Sequence, residues 1–86
     1  MNWVYRFDAR ALKEFKKLDA LTQKKILSYL DKHVIDDADP RRFGKKLTAN
    51  LIGLWRYRVG DYRILCQLRD REFIVLVVSV GHQKNI

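Results

Sequence analysis

The chain has 86 residues, 48% of them apolar, which is enough for one compact domain over residues 1–86 and too few for two. Eighteen Lys and Arg against ten Asp and Glu give a net charge of +8, so a polyanion such as nucleic acid, or an acidic protein, suits the chain as a partner. No run of about 18 apolar residues and no signal-peptide pattern occurs, which argues against a membrane span or secretion. The single cysteine, Cys66, excludes an internal disulfide, and we expect a reduced, cytoplasmic setting.

The first part of the chain predicts one strand followed by two helices. Residues 2–7, NWVYRF, combine aromatic and β-branched side chains as strands do. Asp8 stands at an N-cap position, and residues 9–18 place their apolar side chains on one helical face. Residues 20–34 repeat this helical spacing, so a second amphipathic helix is expected there.

Residues 36–53 predict a connection that includes a short ordered piece at most. Pro40 restricts the residue before it to extended conformations and ends any helix. The charge also changes here, because residues 41–86 hold ten basic and only three acidic side chains. The basic character of the chain therefore belongs to its second half.

From residue 54 onward the apolar pattern has a period of two. Strands are expected at 54–59, 62–68 and 73–80, which is the pattern of an antiparallel meander. The last of them, FIVLVVSV, is apolar at nearly every position and is expected to be covered on both faces. The order β-α-α-β-β-β predicts an α+β fold in which a helical hairpin packs on a small antiparallel sheet.

The hairpin LWRYRVGDYRIL, residues 54–65, has a defined register if Gly60 and Asp61 form a two-residue turn. Alternation then puts apolar and aromatic side chains on one side and three arginines on the other. These arginines are Arg56, Arg58 and Arg63. The expected pairs are Val59–Tyr62, Arg58–Arg63, Tyr57–Ile64, Arg56–Leu65 and Trp55–Cys66.

Two arginines paired across the strands repel each other by about 0.2–1 kcal/mol unless an anion lies between them. One interpretation is a solvated face on which each guanidinium swings away from the next. The other is a phosphate-binding face, since arginine binds phosphate through two donors at once. The second is favoured because no carboxylate occurs between Asp39 and Asp61.

The other titratable candidates are the two histidines, the single cysteine and an aspartate cluster. His82, at the end of the last strand, is expected near the arginine side as an acid or base, with a capping or RNA-contacting role as the alternative. His33 suits a helix end, and Cys66 suits a packed core thiol rather than a nucleophile. Asp36, Asp37 and Asp39 read as loop residues, so no metal site is expected.

Four quoted segments resemble, in order and spacing, the RelE toxins of bacterial toxin–antitoxin pairs within the RelE/ParE superfamily. They are FDARALKEFKKL (7–18), GKKL (44–47), LWRYRVGDYRIL (54–65) and VVSVGH (77–82), and the likeness covers essentially the whole chain. The resemblance implies a ribosome-dependent endoribonuclease that cuts messenger RNA in the A site without a cofactor. It also implies an antitoxin that wraps around the toxin and inhibits it.

The catalytic basic residues of that family correspond to Arg56, Arg58 and Arg63, where some relatives carry lysine at the first two positions. Arginine stays protonated and is a poor general base, so charge stabilisation is the expected role. The partners implied are the ribosome, with its messenger and ribosomal RNA, and a cognate antitoxin. Further contacts to RNA are expected from Lys45, Lys46, Gln83 and Lys84.

The end of the chain, GHQKNI, departs from the family pattern. Gln83 stands where many relatives have arginine, and the position of their tyrosine falls beyond Ile86. A toxin that works without these groups, a shortened chain and weakened activity all fit this departure.

Two other functional classes stay open. One is a ParE-like toxin that binds DNA gyrase without nuclease activity, against which the basic strand residues count. The other is a nucleic-acid-binding module without chemistry.

Overall fold

The computed structural model describes residues 2–36, 39–48 and 53–82, which form two helices on one face of a five-stranded sheet. The α+β class with a helical hairpin on a sheet is therefore confirmed. None of the helices in these three ranges is long and apolar enough to span a bilayer. The elements are β1 Val4–Phe7, α1 Ala9–Lys16, α2 Ala20–Leu30, a π-helical turn Asp31–Ile35, β2 Lys45–Lys46, β3 Leu54–Val59, β4 Tyr62–Arg69, a 3-10 turn Asp70–Glu72 and β5 Ile74–His82.

The sheet has the order β1-β5-β4-β3-β2 and is mixed rather than wholly antiparallel. Strand β1 runs parallel to β5, whereas every other neighbouring pair is antiparallel. The sequence pattern missed both the parallel pair and the short edge strand β2. A parallel pair needs a long crossover, and here the two helices and the meander supply it.

The helical hairpin is fixed at its first cap and at its turn. Asp8 caps α1, since its Oδ1 accepts the Ala11 N–H at 2.8 Å. At the other end of α1, the Gln23 side-chain amide donates to the carbonyl oxygens of Phe15 and Leu18 at 3.2 and 2.9 Å. These bonds satisfy backbone acceptors that a helix end leaves without intrahelical partners.

The core lies between the helices and one side of the sheet, which we call the helix face. Tyr57 is fully buried there and its hydroxyl donates to the Pro40 carbonyl, so a buried polar group is satisfied. The buried core side chains are Trp3, Ala11, Phe15, Ile26, Leu30, Val34, Tyr57, Ile64, Cys66, Val75, Val77 and Val80.

Strand β5 lies in the middle of the sheet but is not equally buried on its two sides. Val75 and Val77 on the helix face are fully buried, whereas Ile74 and Leu76 on the opposite side are half-buried. The expectation that both faces of this strand are covered is therefore wrong. The reason is that both helices pack on the same side of the sheet.

Candidate nucleic-acid interface on the open side of the sheet

A two-residue turn sets the geometry of the β3–β4 hairpin. Gly60 has φ of +59°, and Asp61 follows it without a positive φ. A glycine with positive φ in the first central position is the pattern of a type II′ turn, whose twist matches that of the flanking strands. All five predicted cross-strand pairs, from Val59–Tyr62 to Trp55–Cys66, are confirmed.

The side of the sheet opposite the helices is the arginine face, which we define by Lys45, Arg56, Arg58 and Arg63. Arg58 pairs with Arg63, as the sequence predicted. Lys45 of strand β2 pairs with Arg56, so this lysine extends the basic row. Paired residues project to the same side of a sheet, and these four cations therefore share one surface.

The centre of the arginine face is partly apolar. Leu65 pairs with Arg56 on one side and with Ser79 on the other, and it is 8% exposed although it is not part of the core cluster. Beside it, Gly81 pairs with Arg63, and a Cβ placed at Gly81 would meet nothing within 4 Å. Strand β5 thus leaves open space next to the Arg63 side chain.

The electrostatics of the face are those of crowded like charges. Burial lowers the pKa of Arg56, and the charges of Arg58 and Arg63 lower it further. The Arg56 Nε is buried and has no hydrogen-bond partner among the described residues. An anion placed over the three arginines would accept from this donor and offset the repulsion.

His82 lies on the helix face, so the expectation that it lies near the arginines is wrong. It pairs with Tyr62, and the two rings are in edge contact with centroids 5.3 Å apart. The cause is a bulge in β5, because Leu65 pairs with Ser79 whereas Cys66 pairs with Val77. One extra residue inverts the alternation beyond it.

The same bulge moves Val80 into the core and Ser79 and Gly81 onto the arginine face. Val80 is 3% exposed. Its N–H donates to the Glu14 Oε1 of helix α1 at 2.9 Å, because β1 has ended and cannot pair with this part of β5. A side chain of α1 thus takes the place of a missing strand.

Comparison with known proteins identifies the family. A family model described as the ParE toxin of type II toxin–antitoxin systems, parDE, matches residues 5–86. Toxin RelG of Mycobacterium tuberculosis is 30% identical over 88 residues, which cover 100% of this chain and 97% of RelG. The chain belongs to the ParE toxin family. It is a type II toxin of the RelE/ParE superfamily.

Solved structures of RelE proteins share the fold of this toxin. In a toxin–antitoxin complex RelBE2 from Mycobacterium tuberculosis, the matching chain has a TM-score of 0.81 and 25% identity, with coverage of 96% of the toxin and 100% of that chain. A free double-arginine mutant of E. coli toxin RelE has a TM-score of 0.78 and 25% identity, with coverage of 99% and 87%. The resemblance inferred from the sequence is therefore confirmed at the level of family and fold.

Lys46 and Cys66 lie apart from the arginine face of the toxin. Lys46 pairs with Trp55 and so lies on the opposite side from Lys45. Cys66 is fully buried, and burial raises the pKa of its thiol, as expected for a packed core residue. Gln83 and Lys84 lie outside the described residues.

His33 is not part of this surface either. It lies within the π-helical turn at the end of α2, with its ring between those of Tyr29 and Phe43 at centroid distances of 4.3 and 4.0 Å. In the described residues, no three His, Cys, Asp or Glu side chains come together as a metal-binding group.

Sequence reasoning missed two features of the arginine face. The membership of Lys45 depends on strand β2, which has only two residues and no periodic pattern. Ser79 had a signal, because it is the one polar side chain in the run FIVLVVSV, but its side of the sheet depends on the bulge. Neither position follows from local alternation alone.

Proposed function

We propose that this toxin is a ribosome-dependent endoribonuclease that cuts messenger RNA in the A site and thereby inhibits translation. The observation that carries the proposal is the arginine face itself: three arginines and Lys45 on one surface, with the Arg56 Nε buried and without a hydrogen-bond partner in the part of the chain that the structure describes. Such a surface binds a phosphodiester and stabilises additional charge on it. The likeness to Toxin RelG and to the solved E. coli toxin RelE supports the same reaction class.

The proposed step needs no metal and balances within the RNA. The 2′-hydroxyl loses its proton, its oxygen forms a bond to the adjacent phosphorus, and the bond from phosphorus to the 5′ oxygen breaks. The proton of the 2′-hydroxyl is released to water and the leaving oxygen takes up a proton from water, so no proton is gained or lost overall. Arg58 and Arg63 stabilise the charge that develops on the phosphoryl oxygens, and this is worth the most where donors are fixed in advance.

Arg56 is the supporting donor in this proposal. Its guanidinium, which stays protonated as arginine does in proteins, offers the buried Nε–H as a donor toward the phosphate. Lys45 holds an adjacent phosphate, and Lys46, Gln83 and Lys84 are proposed as peripheral RNA contacts. The proposal gives His82 no part in the step, since it pairs with Tyr62 on the helix face.

The test uses translating ribosomes and maps the 5′ ends of the messenger after addition of the toxin, with a chelator present in a parallel reaction. Cleavage within the A-site codon is expected, and Arg63→Ala should reduce its rate by about 100- to 1000-fold, as removal of a preorganised donor does. Arg71→Ala, an exposed arginine in the 3-10 turn, is the charge-matched control and should cleave at the normal rate. Intact messenger with the unmutated toxin would refute the proposal.

We also propose a cognate antitoxin as the protein partner. Two similar structures, from Mycobacterium tuberculosis and E. coli, are toxin–antitoxin complexes. The net charge of +8 and the arginine face favour an acidic or amphipathic antitoxin segment. Reversing the charge of Arg58 and Arg63 together should weaken antitoxin binding at low salt, and unchanged affinity would exclude direct contact there.

A second candidate is a ParE-like toxin that binds DNA gyrase and cuts no RNA. It is favoured by one finding, the ParE description of the matching family model. A supercoiling assay with purified gyrase separates the two proposals. Inhibited supercoiling together with intact messenger on ribosomes would favour the gyrase toxin.

A further inference from the structure

An exposed phenylalanine without a role in the chemistry above precedes edge strand β2, and its ring packs on the helix side of the sheet. Phe43 is 46% exposed, which is unusual for a ring that is held by neighbours on its inner side. It lies in the connection between the π-helical turn and β2, two residues before Lys45. Its position therefore places an aromatic surface at the sheet edge that carries Lys45.

The Phe43 ring is rigidly supported. It contacts His33, which contacts Tyr29, which in turn contacts the buried Tyr57, at centroid distances of 4.0, 4.3 and 5.9 Å. The next residue, Gly44, is packed so closely that an added Cβ would lie 3.1 Å from the Tyr57 ring. An aromatic column thus runs from the core to the surface and fixes the outermost ring.

The surroundings of Phe43 are strongly basic. The stretch RRFGKK, residues 41–46, holds four cations and no carboxylate. The Arg42 guanidinium lies 5.7 Å from the centroid of the Phe43 ring, and Arg41 lies 5.5 Å from that of Trp55 while it also pairs with Asp70 at 2.8 Å. Lys45 and Lys46 are both exposed on the next strand.

A fixed, exposed ring between cations has the chemistry of a base-stacking site. Every nucleobase offers a π-face to an aromatic side chain, and neighbouring lysine and arginine neutralise the phosphates of the same strand. An acidic protein segment would satisfy the charges but would not need a flat ring held in advance. The combination favours single-stranded RNA over protein.

We infer that Phe43 is a stacking platform for one unpaired base of an RNA strand whose phosphates lie on Lys45 and the arginine face. The inference rests on the proposed function only in assuming that RNA occupies the arginine face. Lys45 pairs with Arg56 at the edge of the sheet, so a strand that leaves the arginines passes Lys45 and turns over this edge to reach the Phe43 ring on the helix side. The platform holds the RNA in register and takes no part in bond breaking.

The test is binding of short single-stranded oligoadenylate to the free toxin, compared with an abasic oligonucleotide that has the same number of phosphates. Phe43→Leu should weaken oligoadenylate binding by about 5- to 150-fold, the range for loss of one stacked base, and leave abasic binding unchanged. Phe43→Trp should retain binding. Ile35→Ala, which shortens another exposed apolar side chain, is the matched control and should change neither.

Each other outcome decides against the inference. Equal weakening of both oligonucleotides by Phe43→Leu, or weakening of neither, would overturn it. Loss of antitoxin affinity with unchanged oligoadenylate binding would assign Phe43 to a protein contact and also overturn it. The urea midpoint of Phe43→Leu must match that of Phe43→Trp, which separates stacking from folding.

This assay contains no ribosome and measures no cleavage, so the two proposals fail separately. A Phe43 effect on oligoadenylate together with intact messenger on ribosomes would refute the nuclease alone. Normal messenger cleavage together with no Phe43 effect would refute the platform alone.

Discussion

The helix face and the arginine face are built from alternate residues of the same strands, and they make opposite demands. On the helix face Tyr57, Ile64 and Cys66 are fully buried and hold the domain together. On the arginine face Arg58 and Arg63 are paired like charges, and Arg56 keeps a buried donor that has no partner within residues 2–36, 39–48 and 53–82. One face lowers the free energy of the fold, whereas the other raises it and is ready to bind an anion.

Alternate residues of a strand project to opposite faces of the sheet, so a small domain can place the side chains that stabilise it on one face and those that bind a ligand on the other. Residues 63 and 64 are neighbours in the chain but lie on different surfaces. Their substitution should therefore change different measured quantities. Four substitutions test this separation, and their expected effects on the free energy of unfolding decrease from the core to the arginine face.

The helix face should be the sensitive one for stability. Ile64→Ala removes a fully buried side chain from the core and should lower the free energy of unfolding by about 2–5 kcal/mol. Urea unfolding followed by circular dichroism measures it. A loss below about 1 kcal/mol would mean that the helix face does not carry the stability of the domain.

Substitution in the Gly60–Asp61 turn should have the second-largest effect on the free energy of unfolding. Gly60→Ala places a Cβ at φ of +59° and should cost about 1–2 kcal/mol of unfolding free energy through backbone strain alone, because the site has no close neighbour. Gly81→Ala is the matched control, since that glycine has open space without a positive φ. Equal costs at the two glycines would contradict the type II′ turn.

Loss of the N-cap of helix α1 should lower the free energy of unfolding by a smaller amount. Asp8→Ala removes the acceptor of the Ala11 N–H and should cost about 1 kcal/mol of unfolding free energy. Asp19 occupies the same position before α2 but makes no side-chain capping bond, so Asp19→Ala should cost less. Thermal unfolding of both variants checks the difference, and a larger loss for Asp19→Ala would count against the cap.

Removal of a charge from the arginine face should raise the free energy of unfolding, whereas the substitutions above lower it. Arg63→Gln removes one of two facing charges and should raise the free energy of unfolding by about 0.2–1 kcal/mol at low ionic strength. The gain should shrink in high salt, which screens exposed charges. Arg71→Gln serves as a control outside the face, and a destabilising effect of Arg63→Gln would show that the arginines stabilise one another through bound groups.

The hairpin and its arginines could be predicted from sequence because both depend on local rules. Gly60–Asp61 fixes the turn, and alternation then assigns every residue from Trp55 to Cys66 to a side. The helices followed from apolar spacing, with the cap at Asp8 read directly from the chain. In these segments the relevant neighbours lie within a few residues in sequence.

The remaining features depend on pairings between distant segments. Strand β1 pairs with β5 through contacts between opposite ends of the chain, and β2 is too short to show a period. The bulge at residue 78 inverted the side of His82, and nothing in a run that is apolar at nearly every position marks where one extra residue lies. The expected position of His82 beside the arginines was wrong for this single register reason.

The most direct test of the separation is one variant measured in two ways. Arg63→Ala should keep the free energy of unfolding within about 0.5 kcal/mol of the unmutated toxin, or raise it, since it removes only a charge from the arginine face. The same variant should lose messenger cleavage on ribosomes by about 100-fold or more. Retained cleavage, or an unfolding free energy lower by about 2 kcal/mol, would contradict the division of labour between the two faces.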